Sequence, residues 1–224
     1  MLAWWVADAW DQNPVFLVSW VVWVIGAIVL HELAHGWTAI RCGDRTPIET
    51  GHMTWNPLVH MGQMSLIMFA AVGIAWGAMP VNPANFRGRY DDAKVALAGP
   101  MMNLLLFAVA LLGAVAAVVF SRQLGDPLGP NLRVFAVSGA FLNLALMLFN
   151  LIPAPPLDGF RIVSDFVPAF RRLWEGPNSA LIATGALIAV FWFGGPWAFS
   201  TSMKLTMAAL DAVLGVLGYG SVGP

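Results

Sequence analysis

Apolar and polar positions along this chain come in blocks rather than in alternation. Apolar runs fall at about 15–41, 64–80, 93–120, 133–153, 178–199 and 203–218, separated by Gly-, Pro-, Asn- and charge-rich stretches at 42–63, 81–92, 121–132 and 154–177. About 20 apolar residues are enough for a helix to cross a bilayer, and helices are favoured there because they satisfy their own backbone groups. The pattern predicts an all-α, polytopic membrane bundle forming one domain over residues 1–224. Segments 64–80 and 203–218 are short for full spans, and the latter carries Asp211, so both are candidates for re-entrant segments. Pro153, Pro155 and Pro156 break the chain after the fourth run, since proline removes a backbone donor. Asp91 and Asp92 stand where first-turn acids belong, and Pro100 predicts a kink or a later start in the third run. The Thr/Ile/Met/Trp alternation in 42–63 predicts short β-strands after the first helix.

Composition agrees. Of 224 residues 59% are apolar and only 10% charged, against about 25% charged in soluble domains, and mean hydropathy is +0.74. A net charge of −1 without any basic run excludes a nucleic-acid partner. The single cysteine, Cys42, excludes an intrachain disulfide and reads as a small residue near a helix end. The N-terminal MLAWWVADAWDQNP lacks a basic n-region, so no cleaved signal is expected. Trp4, Trp5, Trp10 and Trp37 flank the first run as interfacial anchors. The lipid bilayer is therefore the expected surroundings, with a multi-pass chain in the cell membrane. Oligomeric state has no signal in the sequence.

Within the first run, VVWVIGAIVL leads straight into HELAH, residues 31–35. Ionisable groups in a membrane helix are costly and mark functional sites. At i and i+4, His31 and His35 share one helix face, and two imidazoles so placed suit Zn²⁺. Glu32 follows the first imidazole and can reach a water held by the metal, acting as general base toward a carbonyl. That is the chemistry of HExxH zinc hydrolases. The competing reading is a polar cluster that ties helices together.

Catalytic zinc has three protein ligands and one open position. The third can come from Asp158, in NLIPAPPLDGFRI, or from His52 or His60 in the loop after the first helix. Irregular backbone at membrane depth lines watery cavities, which favours the carboxylate. Asn150, polar in an apolar helix, can hydrogen-bond the substrate backbone or a developing oxyanion, or a neighbouring helix. Asn103 and Asn143 read as packing residues.

HELAH in a membrane helix, followed much later by N-x-x-P-x-P-P-L-D-G, resembles the site-2 protease family of intramembrane zinc metalloproteases. ALAGPMMN, residues 96–103, is similar to that family's Gly-Pro-x-x-Asn helix, and NPLVH, residues 56–60, to its Asn-Pro-x-x-His loop; after His60 the chain departs from the family and reads MGQM. The resemblance implies one zinc on His31, His35 and Asp158, Glu32 as the base, and a compact core without PDZ-like or CBS-like modules. It also implies a transmembrane protein as substrate, with His60 in the Asn-Pro-x-x-His loop as a second candidate, beside Asn150, to contact that substrate or the oxyanion. A zinc-binding scaffold or carrier without catalysis has no use for Glu32. A membrane hydrolase of a non-peptide amide shares every site residue.

One metal requires the end of the first helix and the chain after the fourth run to lie on the same membrane face. That holds only if 64–80 enters and returns. Lys and Arg then divide eight (41, 45, 87, 89, 94, 161, 171, 172) to three (122, 133, 204), which puts the site toward the cytoplasm by the positive-inside rule. Counting back from Arg41 places the two histidines about 9–15 Å deep at ~1.5 Å per residue.

Overall fold

The structure is a computed structural model and describes residues 5–220; Trp4 lies outside them. Among the described residues eleven α-helices follow one another: α1 Trp5–Gln12, α2 Pro14–Arg41, α3 Thr46–Glu49, α4 Pro57–Val72, α5 Asp91–Val119, α6 Ser121–Leu124, α7 Leu128–Asn150, α8 Asp158–Phe166, α9 Pro168–Arg172, α10 Ser179–Ala189 and α11 Gly195–Val216. Four helical runs among these residues are long and apolar enough to cross a membrane: α2, α5, α7 and the continuous stretch Ser179–Val216.

The helix starts follow local chemistry. Asn13 accepts from the Phe16 N–H ahead of Pro14, and Asn56 accepts from the Leu58 N–H ahead of Pro57. Each is an N-cap followed by a proline whose missing donor costs nothing at the first helical position. Pro100 does not start α5, which runs through it from Asp91.

Helices α2, α5 and α7 form the core. Trp23 on α2 donates its indole N–H to the Phe135 carbonyl at 2.8 Å and lies against Gly139, where a Cβ would overlap the ring. The C-terminal half of α2 faces the start of α5, with His35 beside Val95 and His31 beside Asn103. Helices α2 and α7 are therefore parallel, and α5 is antiparallel to both. Helix α11 closes the far end, where Leu210 and Leu214 pack on Ala114, Val115 and Ala136.

Residues 42–90 leave and return at the same end of this core. After a break at Gly62 (φ 67°), α4 carries Phe69 to the level of Val24 on α2. The chain turns at Gly73 (φ 78°) and comes back extended. Ser65 Oγ donates to the Trp76 carbonyl at 2.7 Å and accepts from the Trp76 N–H at 2.9 Å, while the Ala78 N–H donates to the His60 carbonyl at 2.9 Å. The product is a hairpin of one helix and one extended arm.

Two expectations change. No β-strand occurs among the described residues: 46–49 is a helical turn set by Pro47 at its start, and the rest of 42–63 is turns and the beginning of α4. The final runs 178–199 and 203–218 are not two helices but one continuous stretch, Ser179–Val216, which passes unbroken through 200–202 and carries a π-helical turn at Val190–Gly194, within the first run and just before Pro196. A π-turn shifts the hydrogen-bond register, which lets a helix absorb a residue that cannot donate.

Candidate metal centre

The α2 and α5 faces meet residue against residue. Val95, Gly99 and Asn103 repeat every four positions on α5 and so share one stripe. The His35 Nδ1–H donates to the Val95 carbonyl at 2.6 Å, and His31 Nδ1 meets Asn103 Oδ1, also at 2.6 Å. Between them Gly99 has no side chain; a Cβ there would overlap both imidazoles. With each Nδ1 occupied, both Nε2 atoms are turned into the interior.

They face Asp158. His31 Nε2 lies 3.0 Å from Oδ2, and His35 Nε2 lies 3.3 Å from Oδ1. All three residues are buried, with candidate ligand atoms within 4.8 Å of one another. Asp158 arrives there because the chain stops being helical at Asn150, runs irregularly through the prolines, and restarts a helix at Asp158 itself. Gly159 packs on the Leu151 and Ile152 carbonyls with no room for a Cβ. Helix α8 is then fixed to the start of α5: Arg161 Nη2 pairs with Asp92 at 2.6 Å, and Asp165 accepts from the Ala93 N–H at 2.9 Å.

The donor set fits zinc. Two imidazole lone pairs aimed at a carboxylate repel unless a cation lies among them. Tetrahedral zinc with bonds of ~2.0–2.1 Å spaces its ligand atoms about 3.3 Å apart; the two nitrogens lie 3.0 and 3.3 Å from different oxygens of Asp158, and one ligand atom from each of the three residues falls within 4.8 Å of the others. Two nitrogens and one carboxylate oxygen leave the fourth position open, as hydrolytic zinc requires.

Glu32, also buried, borders the same cavity of about 720 Å³, together with Ile74–Met79, Asn150, Arg161, Leu187 and Phe191. The extended arm runs over the carboxylate: a Cβ on Gly77 would stand 2.7 Å from Glu32 Oε1. Asn150 reaches the cavity, though its amide N–H donates to the Leu146 carbonyl at 3.1 Å. The loop histidines are elsewhere. His60 is buried but is not among the cavity-lining residues; its Nε2–H donates to the Thr54 carbonyl at 2.7 Å. His52 turns to Thr50. Asn103, which the sequence assigns to packing, touches His31 directly. Its place four residues after Gly99, on the face opposing HELAH, is the signal that would single it out.

The comparisons with known proteins agree with this geometry. A family model described as "Peptidase family M50" matches residues 122–193. "Putative zinc metalloprotease YwhC" of Bacillus subtilis is 35% identical over 164 residues, covering 72% of this chain and 75% of that one. "Putative zinc metalloprotease Rip2" of Mycobacterium tuberculosis is 33% identical over 219 residues, 89% and 80% of the two chains. The chain belongs to peptidase family M50. "Putative zinc metalloprotease MJ0611" of Methanocaldococcus jannaschii is a more distant relative, 29% identical over 149 residues and covering 66% of this chain and 70% of that one. No solved structure matches. M50 is the site-2 protease family, so the chain is a zinc-dependent protease and an integral membrane protein.

Proposed function

We propose that this M50 chain is an intramembrane endopeptidase, cutting a peptide bond within or near a transmembrane segment of another membrane protein. One observation carries the reading: Glu32, His31, His35 and Asp158 border a single cavity inside a bundle of apolar helices. In this reading His31, His35 and Asp158 hold the metal. Zinc, when bound, supplies Lewis-acid activation of water and of the scissile carbonyl. Glu32 Oε takes the proton of the attacking water and delivers it to the departing amine nitrogen. Asn150, on the cavity wall, hydrogen-bonds the substrate backbone or the developing oxyanion. His60, the other candidate for that contact, is not among the cavity-lining residues and donates its Nε2–H to the Thr54 carbonyl.

A substrate helix shields its peptide bonds with its own hydrogen bonds and must unwind before it is cut. The unwound segment adds beside the arm 74–79 rather than along 42–63. Trp76 and Ala78 direct backbone groups toward α4, and alternation turns those of Ala75 and Gly77 the other way, toward the cavity they line. The hairpin 57–80 is re-entrant, the N-terminus is outside, and the site opens to the cytoplasm; the eight-to-three division of Lys and Arg supports this orientation.

The deciding experiment is Glu32→Gln, assayed on a quenched fluorogenic peptide with a transmembrane segment. Cleavage is expected to fall by at least about 10²–10⁴-fold, the usual contribution of a general base, with one zinc per chain retained. Cleavage at wild-type rate would remove Glu32 from the chemistry. Joint loss of zinc and activity would make Glu32 a ligand rather than a base.

A further inference from the structure

The bonds that orient His31 do not end at Asn103. Asn103 Nδ2 donates to Asn143 Oδ1 at 3.1 Å, and Asn143 Nδ2 donates to the Gly139 carbonyl at 2.9 Å. Both amides are fully buried, so neither can exchange its partner for solvent. The chain of bonds can run in one direction only. A main-chain carbonyl has no proton and can only accept, so Asn143 must turn its NH₂ to Gly139 and its oxygen to Asn103. Asn103 must answer with its NH₂ and present its oxygen to His31. His31 must then carry its proton on Nδ1, which leaves the Nε2 lone pair facing Asp158. Gly139 is itself held, because the Trp23 ring fills the place of its missing side chain and bonds one turn earlier at Phe135.

We infer that Asn143 is a positioning residue for the metal centre, acting through Asn103 to keep His31 in the tautomer that can ligate. The inference rests on His31 being a ligand, as proposed above. His35 needs no such relay, since the Val95 carbonyl meets its Nδ1 directly. At the level of His31 the facing residue is Asn103, whose amide could point either way without Asn143 behind it. Once free to turn, it offers an N–H to Nδ1, and the proton moves to Nε2, where it blocks ligation.

The test is zinc affinity, measured by chelator competition on the detergent-purified chain. Asn143→Leu removes the anchor at similar volume and is expected to weaken zinc about 10–100-fold, the usual cost of losing an outer partner of a metal ligand. Asn143→Asp keeps an acceptor toward Asn103 and, when protonated, a donor toward Gly139; it is expected to stay within about threefold of wild type. Asn103→Asp, when ionised, places a group that only accepts against His31 and makes the relay unnecessary. Adding Asn143→Leu to it should therefore change zinc affinity by less than about threefold. Equal losses from Asn143→Leu with and without Asn103→Asp would make Asn143 a packing residue and overturn the inference, as would wild-type affinity in the single Leu variant. A His31→Ala control that binds zinc as tightly as wild type would instead overturn the assignment of the ligand.

Discussion

Two glycines decide what the buried polar side chains can do. Gly99 lets the imidazoles of His31 and His35 lie against α5, while their Nδ1 atoms are tied to Asn103 and Val95. Rings tied at one nitrogen cannot swing away from an added methyl without breaking those bonds. Gly99→Ala is therefore expected to weaken zinc binding about tenfold or more, read as zinc per chain after dialysis, and to lose activity with it. Gly77 is the counterpart for Glu32, whose Oε1 occupies the place of its missing side chain. Gly77→Ala should lower cleavage while zinc per chain is unchanged. Opposite zinc results for the two variants would separate the surroundings of the proposed metal site from those of the proposed base.

At the scale of elements, the segment between α2 and α5 depends on one carboxylate. Asp44 is fully buried and accepts from the Thr46 N–H and hydroxyl, the Asn82 N–H and the Asn85 amide at 2.6–3.0 Å. It thereby joins the end of α2 to the far end of the returning arm. Burial alone would push this carboxyl up, but the bonds from Thr46, Asn85 and Asn82 outweigh it and hold the group below the usual carboxylate range. A carboxylate so depressed contributes its stability fully above its unfolded pKa of about 3.9 and loses it as pH falls through the folded value. Asp44→Asn, which turns an N–H toward these donors, is expected to cost about 1–3 kcal/mol near neutral pH. In thermal unfolding, the gap between wild type and variant should narrow below pH ~4.

Much of this is legible in the sequence, for identifiable reasons. Long apolar runs, caps such as Asn13-Pro14, and the i, i+4 histidines depend on neighbours in the chain. The alternation in 42–63 fits a strand as well as it fits turns, and Pro47, Pro57 and Asp44 decide for turns. Ser200-Thr201-Ser202 divides the last two apolar runs in the sequence, but α11 runs through it, hydroxyl side chains being no obstacle to a helix. Asn143 is 40 residues from its partner Asn103. Local pattern gives it only a polar side chain in an apolar helix; its partner, and hence its consequence for His31, exists only in the packed bundle.

For the whole molecule, parallel α2 and α7 with antiparallel α5 require the 42–90 segment to begin and end at one side. In a Cys42→Ser background, Arg122→Cys should react with an impermeant maleimide in intact cells, and Arg89→Cys only after the membrane is opened or inverted. Reaction of both from the same side would refute the proposed orientation. The run Ser179–Val216 adds a property that belongs to the surroundings as much as to the chain. Its 38 residues make a rod of about 57 Å, against hydrocarbon about 30 Å thick. A helix longer than the hydrocarbon tilts, kinks or extends past it, and packing on neighbouring helices sets which; here Leu210 and Leu214 seat it against Ala114, Val115 and Ala136. The rod carries Leu187 and Phe191, which border the cavity. The lean that this packing gives the rod therefore also shapes the threshold that whatever approaches the site must cross.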